Sequence, residues 1–536
     1  MIIFMVSIVV NINISPVVQA KDGRIFIKGE ELFSHTLVGY PDIPVKSVVI
    51  PVDGYVEDFS FKILHIDTLE IVKSNPPFLD FPQILSLPVN RHAEAVKTSN
   101  FPEHIVEYKG IGHGSGKSYI QFVVYSGGFR DGMLTLFRGI SLEVNYVSRI
   151  PPGNHRNATL DYAIITSPDF APYFEPLKEW KNQKGIKTEI FTTDSIYSNY
   201  SGRDNQEKIR NFIKYIHENL GVGYVLLGGD VDVVPARIAF AMACEAGYHP
   251  EDEDSIRADL YYSDLDGDWD ADGDNLFGEV EDSVDLIPDV HVGRCPARSG
   301  HSEDVTAFVN KIINYEKHPG TRINDALFSA MILWSNPYTD EGIAKDRIAG
   351  YLPPYMDVYR MYESIGAGGH DTVIGELNRG KGFLNHDGHG WYSGMWTAGG
   401  DYISRGDMDT LSNTTFTICF SIGCWVGAFD YDAVAEHFIR NPNGGGVAIV
   451  SNSRYGWGSP GNPGFGYSDF FDFEFFRLIF VEKELTIGDV VSDMKIKFAP
   501  LSRTENVYRW NEYELNLLGD PTMVIWHGIP DTFQVV

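Results

Sequence analysis

From Asp161 onward, short apolar runs of strand length alternate with stretches whose apolar residues recur at helical spacing. This alternation constrains the fold more than any other feature. Tyr162 to Thr166 reads as a buried strand, and Phe174, Leu177 and Trp180 mark one face of a following helix. Ile209, Phe212, Ile213 and Ile216 mark a second helix, Tyr224 to Leu227 the next strand, and Val305, Phe308, Val309, Ile312 and Ile313 a third helix. Ala330 to Trp334, Phe416 to Phe420 and Val447 to Val450 read as later strands. Strands joined through helices predict an α/β unit with a mostly parallel sheet flanked by helices.

The preceding residues, 21 to about 150, have a different rhythm. Val45 to Pro51, Phe59 to Ile63, Tyr119 to Val124 and Ile140 to Val144 alternate or run apolar at strand length, with Pro and Gly between them. No long helical period interrupts them, so a β-rich, sandwich-like domain is expected. Arg149 to Arg156 reads as a stretch rich in Pro and Gly that opens a linker, set at 151–160. Ahead of these, Met1 to Ala20 reads as a signal peptide: Ile2 to Val10 is apolar and Val18-Gln19-Ala20 is a small-residue cleavage site. Asn11 and Asn13 make the run too short for a membrane span, and no second span is seen. The expected location is therefore secreted, extracellular or at the cell surface.

Lys and Arg number 43 against 73 Asp and Glu, a net charge of −30. That excludes nucleic acid as the main partner, because replacing phosphate counterions needs a basic face. Four cysteines in 536 residues exclude a disulfide-dense scaffold. Residues 251–289 carry 16 acidic residues and one Arg, half of the chain's acidic excess. Within them Asp268, Asp270, Asp272, Gly273, Asp274 and Glu279 fit the spacing D-x-[DN]-x-[DN]-G-x5-E. Carboxylates at alternating positions converge on one hard cation, the Gly permits the sharp turn, and the last Glu binds through both oxygens. Asp264 and Asp266 extend the alternation backwards. No flanking amphipathic helices are seen, so a structural Ca2+ loop is expected rather than a helix–loop–helix switch.

Phe383-Leu384-Asn385 is a short strand-like run that breaks into His386-Asp387-Gly388-His389-Gly390. Phe416 to Gly423 is followed by Cys424. Active groups of open parallel sheets gather past the carboxyl ends of the strands. If these two strands are neighbours, an imidazole next to a thiol raises the thiolate fraction, and glycines let substrate approach backbone N–H groups. The bland alternatives are a buried Cys, as expected for Cys419, and a solvated His.

At these residues the sequence resembles the gingipain-type cysteine peptidases of the caspase-like clan. Asp387-Gly388-His389-Gly390 and Phe420-Ser421-Ile422-Gly423-Cys424 carry the likeness. It continues through Gly427 to Asp430, Ala435 to Phe438, Gly446 to Trp457 and Leu518 to Thr522, over about 160 to 530. The resemblance implies a caspase-like catalytic region over 161–527, the start of a C-terminal extension over 528–536, and a propeptide over 21–150. It implies Cys424 as nucleophile, His389 as general base and acid, and the N–H groups of Gly390 and Cys424 as oxyanion hole. Glu341 is implied as the acid near the His, and Trp457 as pocket lining. Arg454 lies beside the same wall, and a cation there opposes the Arg or Lys preference of the family's best-known members.

The expected function is a secreted, calcium-stabilised cysteine endopeptidase made as a zymogen. Its partners would be protein or peptide substrates and its own propeptide, with Arg149 and Arg156 as processing sites in an exposed linker. A rival is a catalytically inert, calcium-dependent secreted binding protein on the same fold, with Cys424 in a disulfide or Cys244 paired to Cys295. A transpeptidase would use the same dyad.

Overall fold

The computed structural model describes residues 2–21, 24–34, 40–73, 82–85, 100–150, 159–244, 246–247, 252–282 and 284–530. The linker residues 151–158, including Arg156, and the tail 531–536 lie outside the described residues.

The first unit is built from strands β1 (Ile2–Asn13), β2 (Val45–Asp53), β3 (Tyr55–Lys73), β4 (Gln83–Ile84), β5 (Val106–Gly114), β6 (Lys117–Tyr125) and β7 (Met133–Ile150). One sheet runs β1–β7–β3 and a second runs β2–β6–β5. Alternating apolar positions such as Ile50, Ile120, Phe122, Leu142 and Val144 fill the space between them. The apolar run expected to serve as an export leader is laid down as β1, antiparallel to β7 from Ile2↔Ile150 to Asn13↔Gly139. Its outward side chains Met5 and Val9 are 86% and 56% exposed. Arg149, half exposed at the end of β7, pairs with Glu57 at 2.9 Å.

The second unit has strands β8 (Tyr162–Thr166), β9 (Thr188–Thr192), β10 (Tyr224–Gly228), β11 (His291–Cys295), β12 (Asp325–Ala330), β13 (Asp357–Tyr362), β14 (Phe383–Asp387), β15 (Thr417–Ser421), β16 (Gly446–Asn452), β17 (Trp457–Gly458) and β18 (Leu515–Leu518). All except β17 form one sheet in the order β9–β8–β10–β11–β18–β16–β15–β14–β12–β13. Every pairing is parallel except β16 with β18. Helices cover the faces as the periodicity predicts. Asn205–Leu220 buries Ile209, Phe212, Ile213 and Ile216, is capped where Asp204 accepts the Glu207 N–H, and stops at Gly221 with φ +85°. Ser302–Lys317 buries Val305, Phe308, Val309 and Ile312. The strand expected over Ala330 to Trp334 is displaced: β12 ends at Ala330, and Ile332–Ser335 turns out of the sheet to pair with Tyr338–Asp340.

The two units are tightly docked. Phe33 sits edge-on against Phe470 and Phe498, with centroids at 4.9 and 5.2 Å. Arg503 donates to Gln121 at 2.8 Å, and the His113 N–H donates to Asp285 at 2.6 Å. Glu31 pairs with Lys46 at 2.7 Å and Lys497 at 3.3 Å. Burial opposes its charge, but the two cations outweigh burial and lower the carboxyl to about 2.

Candidate active site

Strands β14 and β15 are adjacent and parallel, with Leu384 opposite Cys419 and His386 opposite Ser421. All ten of their residues are buried, so their carboxyl ends are fixed by the core. His386 braces the turn that follows. Its Nδ1 is 2.8 Å from Ser421 Oγ and its Nε2 is 2.8 Å from the Trp396 carbonyl. Burial lowers it from 6.5 to about 4, so the ring is neutral. A neutral buried His contributes stability that is full above its unfolded pKa and lost as pH falls through the folded one. The urea midpoint of the chain should therefore drop between pH 6.5 and about 4. At about 1.4 kcal/mol per unit this loss is on the order of 3 kcal/mol. In His386→Gln, urea melts across that pH range should show a smaller drop.

Beyond His386 the chain needs glycine. A Cβ on Gly390 would lie 2.7 Å from the Cys424 carbonyl oxygen and 2.8 Å from the Gly423 carbonyl carbon. The His389–Gly390 turn thus packs directly on the Cys424 turn. Cys419 is the expected buried hydrophobe in the middle of β15, whereas Cys424 follows the strand's end. Trp425 has φ +61°, a left-handed conformation unusual for a bulky residue, and its N–H donates to the Arg454 carbonyl at 2.6 Å. Asn452 Nδ2 donates to the Ile422 carbonyl at 2.8 Å, tying the turn to β16. Cys424 Sγ lies 3.9 Å from the Gly456 carbonyl oxygen.

A segment of the first unit occupies this place. Strand β4 pairs antiparallel with β17, Ile84 opposite Trp457 and Gln83 opposite Gly458. The Leu85 N–H donates to the same Gly456 carbonyl at 2.9 Å. Burial lowers the His389 imidazole, while Leu85 and the Glu363 charge pull it upward. Sequence reasoning missed this insert; its only local signal is a short apolar run between Pro82 and Pro88.

The remaining expected site residues are placed as follows. Trp457 is 8% exposed and sits edge-on to Trp510. Arg454 is fully buried over the Trp425 ring, and its guanidinium is committed to Asp430, the Asp252 carbonyl and the Ser453 carbonyl. Glu341 lies in a buried group with Asp387 and Asp469 beside Lys345, where burial and those carboxylates hold it well above the usual carboxylate range. The carboxylate that acts on His389 is Glu363, whose oxygens accept from Ile332 N–H at 2.8 Å and Gly399 N–H at 3.3 Å. The suggested Cys244–Cys295 disulfide is not formed: all four cysteines are thiols. Cys295 is buried at the end of β11, whereas Cys244 lies in a half-buried loop influenced by Glu253 and Cys424.

Among the described residues of the acidic segment, the loop is preceded only by the single 3-10 turn Asp259–Tyr262, and no amphipathic α-helix flanks it. Asp270, Asp272 and Asp274 bring one oxygen each within 4.8 Å of one another, and Gly273 has φ +82°. Asp268 accepts the Asp270 N–H at 3.2 Å, Asp270 also pairs with Arg203, and Asp272 accepts the Asp274 N–H at 3.2 Å. Glu279 is raised by burial and by Asp274 and Asp272. Three oxygens at this spacing suit a hard divalent cation. A second group, Asp264, Asp266 and Asp289, gathers where the first unit docks. Burial raises Asp264 to about 6 and Asp289 to about 8.

Comparison with known proteins agrees with this geometry. Gingipain R2 of Porphyromonas gingivalis (strain ATCC BAA-308 / W83) is 24% identical over 316 residues, covering 55% of this chain and 37% of its own length. Lys-gingipain HG66 of the same species is 22% identical over 414 residues, 71% of this chain and 21% of its own. The chain therefore spans well under half the length of these curated relatives. Among solved structures, the Arg-specific cysteine proteinase gingipain R superposes with a TM-score of 0.54 at 20% identity, over 70% of this chain and 80% of its own. The complex of P. gingivalis RgpB pro- and mature domains gives 0.53 at 21% identity, over 69% and 81%. These likenesses show a shared α/β fold. A family model described as peptidase family C25 matches residues 155–526, the greater part of the sequence. The chain belongs to peptidase family C25.

Proposed function

We propose that the chain is a cysteine endopeptidase made as an exported, latent precursor and stabilised by calcium. One observation carries this reading: a peptide strand lies along β17 with its Leu85 N–H on the Gly456 carbonyl, the same carbonyl that lies 3.9 Å from Cys424 Sγ. That is where a substrate adding itself to a sheet edge would present a bond to a thiol and an imidazole. In the reaction, His389 takes the Cys424 proton and the thiolate attacks the scissile carbonyl. The oxyanion is met by the N–H groups of Gly390 and Cys424, His389 protonates the leaving amine, and water cleaves the thioester. The Glu363 charge favours the protonated imidazole. The first unit blocks the cleft until it is removed, a reading supported by the solved pro- and mature-domain complex of a relative. Calcium would be held by Asp268, Asp270, Asp272, Asp274 and Glu279, where it offsets the mutual repulsion of the carboxylates.

Intact mass and peptide mapping after treatment with a thiol alkylator test the assignment. Single labelling at Cys424 that slows in His389→Ala is the expected result; no labelling at Cys424 would remove the peptidase reading. The export reading is compatible with the place of β1 at a sheet edge, where Met5 and Val9 lie exposed, although Ile12 belongs to the core that its removal would open. Terminal sequencing of protein secreted by an expressing host should find Lys21 as the first residue, and retention of Ile2–Val10 would exclude a leader there.

A further inference from the structure

We infer that the pocket beside Trp457 takes an aliphatic side chain of leucine size, so that the enzyme cleaves after leucine-like residues rather than after Arg or Lys. The inference rests on the peptidase reading and names its substrate class.

The register decides which residue of the insert precedes the position of a scissile bond. Chain direction is antiparallel to β17, with Gln83 opposite Gly458 and Ile84 opposite Trp457. Leu85 is the residue whose N–H is tied to the Gly456 carbonyl, which lies 3.9 Å from Cys424 Sγ. The residue anchored by its N–H beside the thiol, one residue beyond the paired strand, supplies the acyl half of a bond to be cut. The Leu85 side chain therefore reports the shape of the pocket for that half.

The side chain is 1% exposed. Two glycines make room for it. A Cβ on Gly456 would come within 2.8 Å of one Leu85 methyl, and a Cβ on Gly458 within 2.6 Å of the other. The Trp334 ring closes the same side, 2.8 Å from that Gly458 position. These neighbours are apolar. An incoming guanidinium or ammonium would enter this slot with no carboxylate among the neighbours that line it, and burying it there unpaired is costly.

The test uses the full chain with Leu85→Gly, which empties the slot, alongside wild type. Each is treated with peptidyl acyloxymethyl ketones of sequence Gln-Ile-Leu and Gln-Ile-Arg, and with iodoacetamide, and labelling rates at Cys424 are read by peptide mapping. The leucine ketone is expected to label the variant about 100-fold faster than the arginine ketone, the range over which an apolar pocket discriminates. Labelling of wild type by the leucine ketone is expected to be slower than in the variant. In Gly458→Ala with Leu85→Gly, preference should move to an alanine ketone, because the added methyl fills the slot. Arginine labelling as fast as leucine labelling would overturn the aliphatic pocket while leaving the peptidase intact. Iodoacetamide labelling with neither ketone reacting would do the same. Failure of all three reagents at Cys424 would overturn the peptidase reading and the pocket with it.

Discussion

Replacing Cys424 with alanine is expected to abolish peptide hydrolysis, lowering kcat by about 10⁴-fold or more, because no other group in the turn can form the thioester. The side chain is buried, sits after the fully buried strand β15 and lies 3.9 Å from the carbonyl that also anchors the insert. Cys424→Ala removes only one small atom group there, so the fold should persist. His389→Ala is expected to cost a comparable factor, and the double variant little more, since the two act as one unit. Cys419→Ala, in the middle of the same strand, should leave the rate within a few-fold and affect only stability. The measurement is hydrolysis of a denatured protein substrate after removal of the first unit. Retained activity in Cys424→Ala would assign the chemistry elsewhere.

Chelating calcium is expected to give the second largest effect. If the loop binds at 100 times its Kd, binding contributes about 2.7 kcal/mol, which for a chain of this size is about 2–4 °C in the melting temperature. The loop is coupled to the core: Arg509 donates to the Gly278 carbonyl at 2.6 Å and Trp269 packs edge-on against Tyr261. Melting of the loop should therefore reach the helix that carries Arg509, Val507–Glu514, which precedes β18. Scanning calorimetry with calcium and with chelator reads the shift. Asp272→Asn with Asp274→Asn should remove the calcium dependence and leave the chelated melting temperature unchanged or higher, because like charges are lost. Equal melting temperatures with and without calcium in wild type would exclude a structural ion.

Much of the fold is legible in the sequence because the signals are local. Helical spacing at Ile209, Phe212 and Ile216, the double burial of Thr417–Ser421, and carboxylates at every second position each depend on neighbours within one turn or strand. Legibility ends where tertiary geometry decides. The run Ala330 to Trp334 stays apolar, yet the chain leaves the sheet after Ala330 and Met331 donates its N–H to the Asp387 carbonyl. Glu341 is drawn by the fold into a buried group with Asp387 and Asp469, whereas Glu363, which follows β13 at the sheet edge, is the carboxylate whose charge is felt at His389. Leu85 and Trp457 are hundreds of residues apart, and nothing local at Pro82 to Pro88 reveals which strand receives it. Ile2 to Val10 is apolar enough for a leader and β-branched enough for a strand, and composition alone cannot separate the two.

The position of β18 bears on how the protein is made. This strand is the last in the sequence, yet it lies between β11 and β16 at the middle of the sheet. On a ribosome, the β9–β8–β10–β11 half and the β16–β15–β14–β12–β13 half emerge in turn with no strand yet available to join them. The N-terminal unit has emerged before either half, yet Phe33, Gln121 and Ile84 meet Phe470, Arg503 and Trp457, which are synthesised only after β16. Docking of the unit that silences the cleft is therefore as late an event as insertion of the strand that seals the sheet. A nascent chain released before Leu515 would carry two unsealed edges at its centre, a ready target for proteolysis or aggregation.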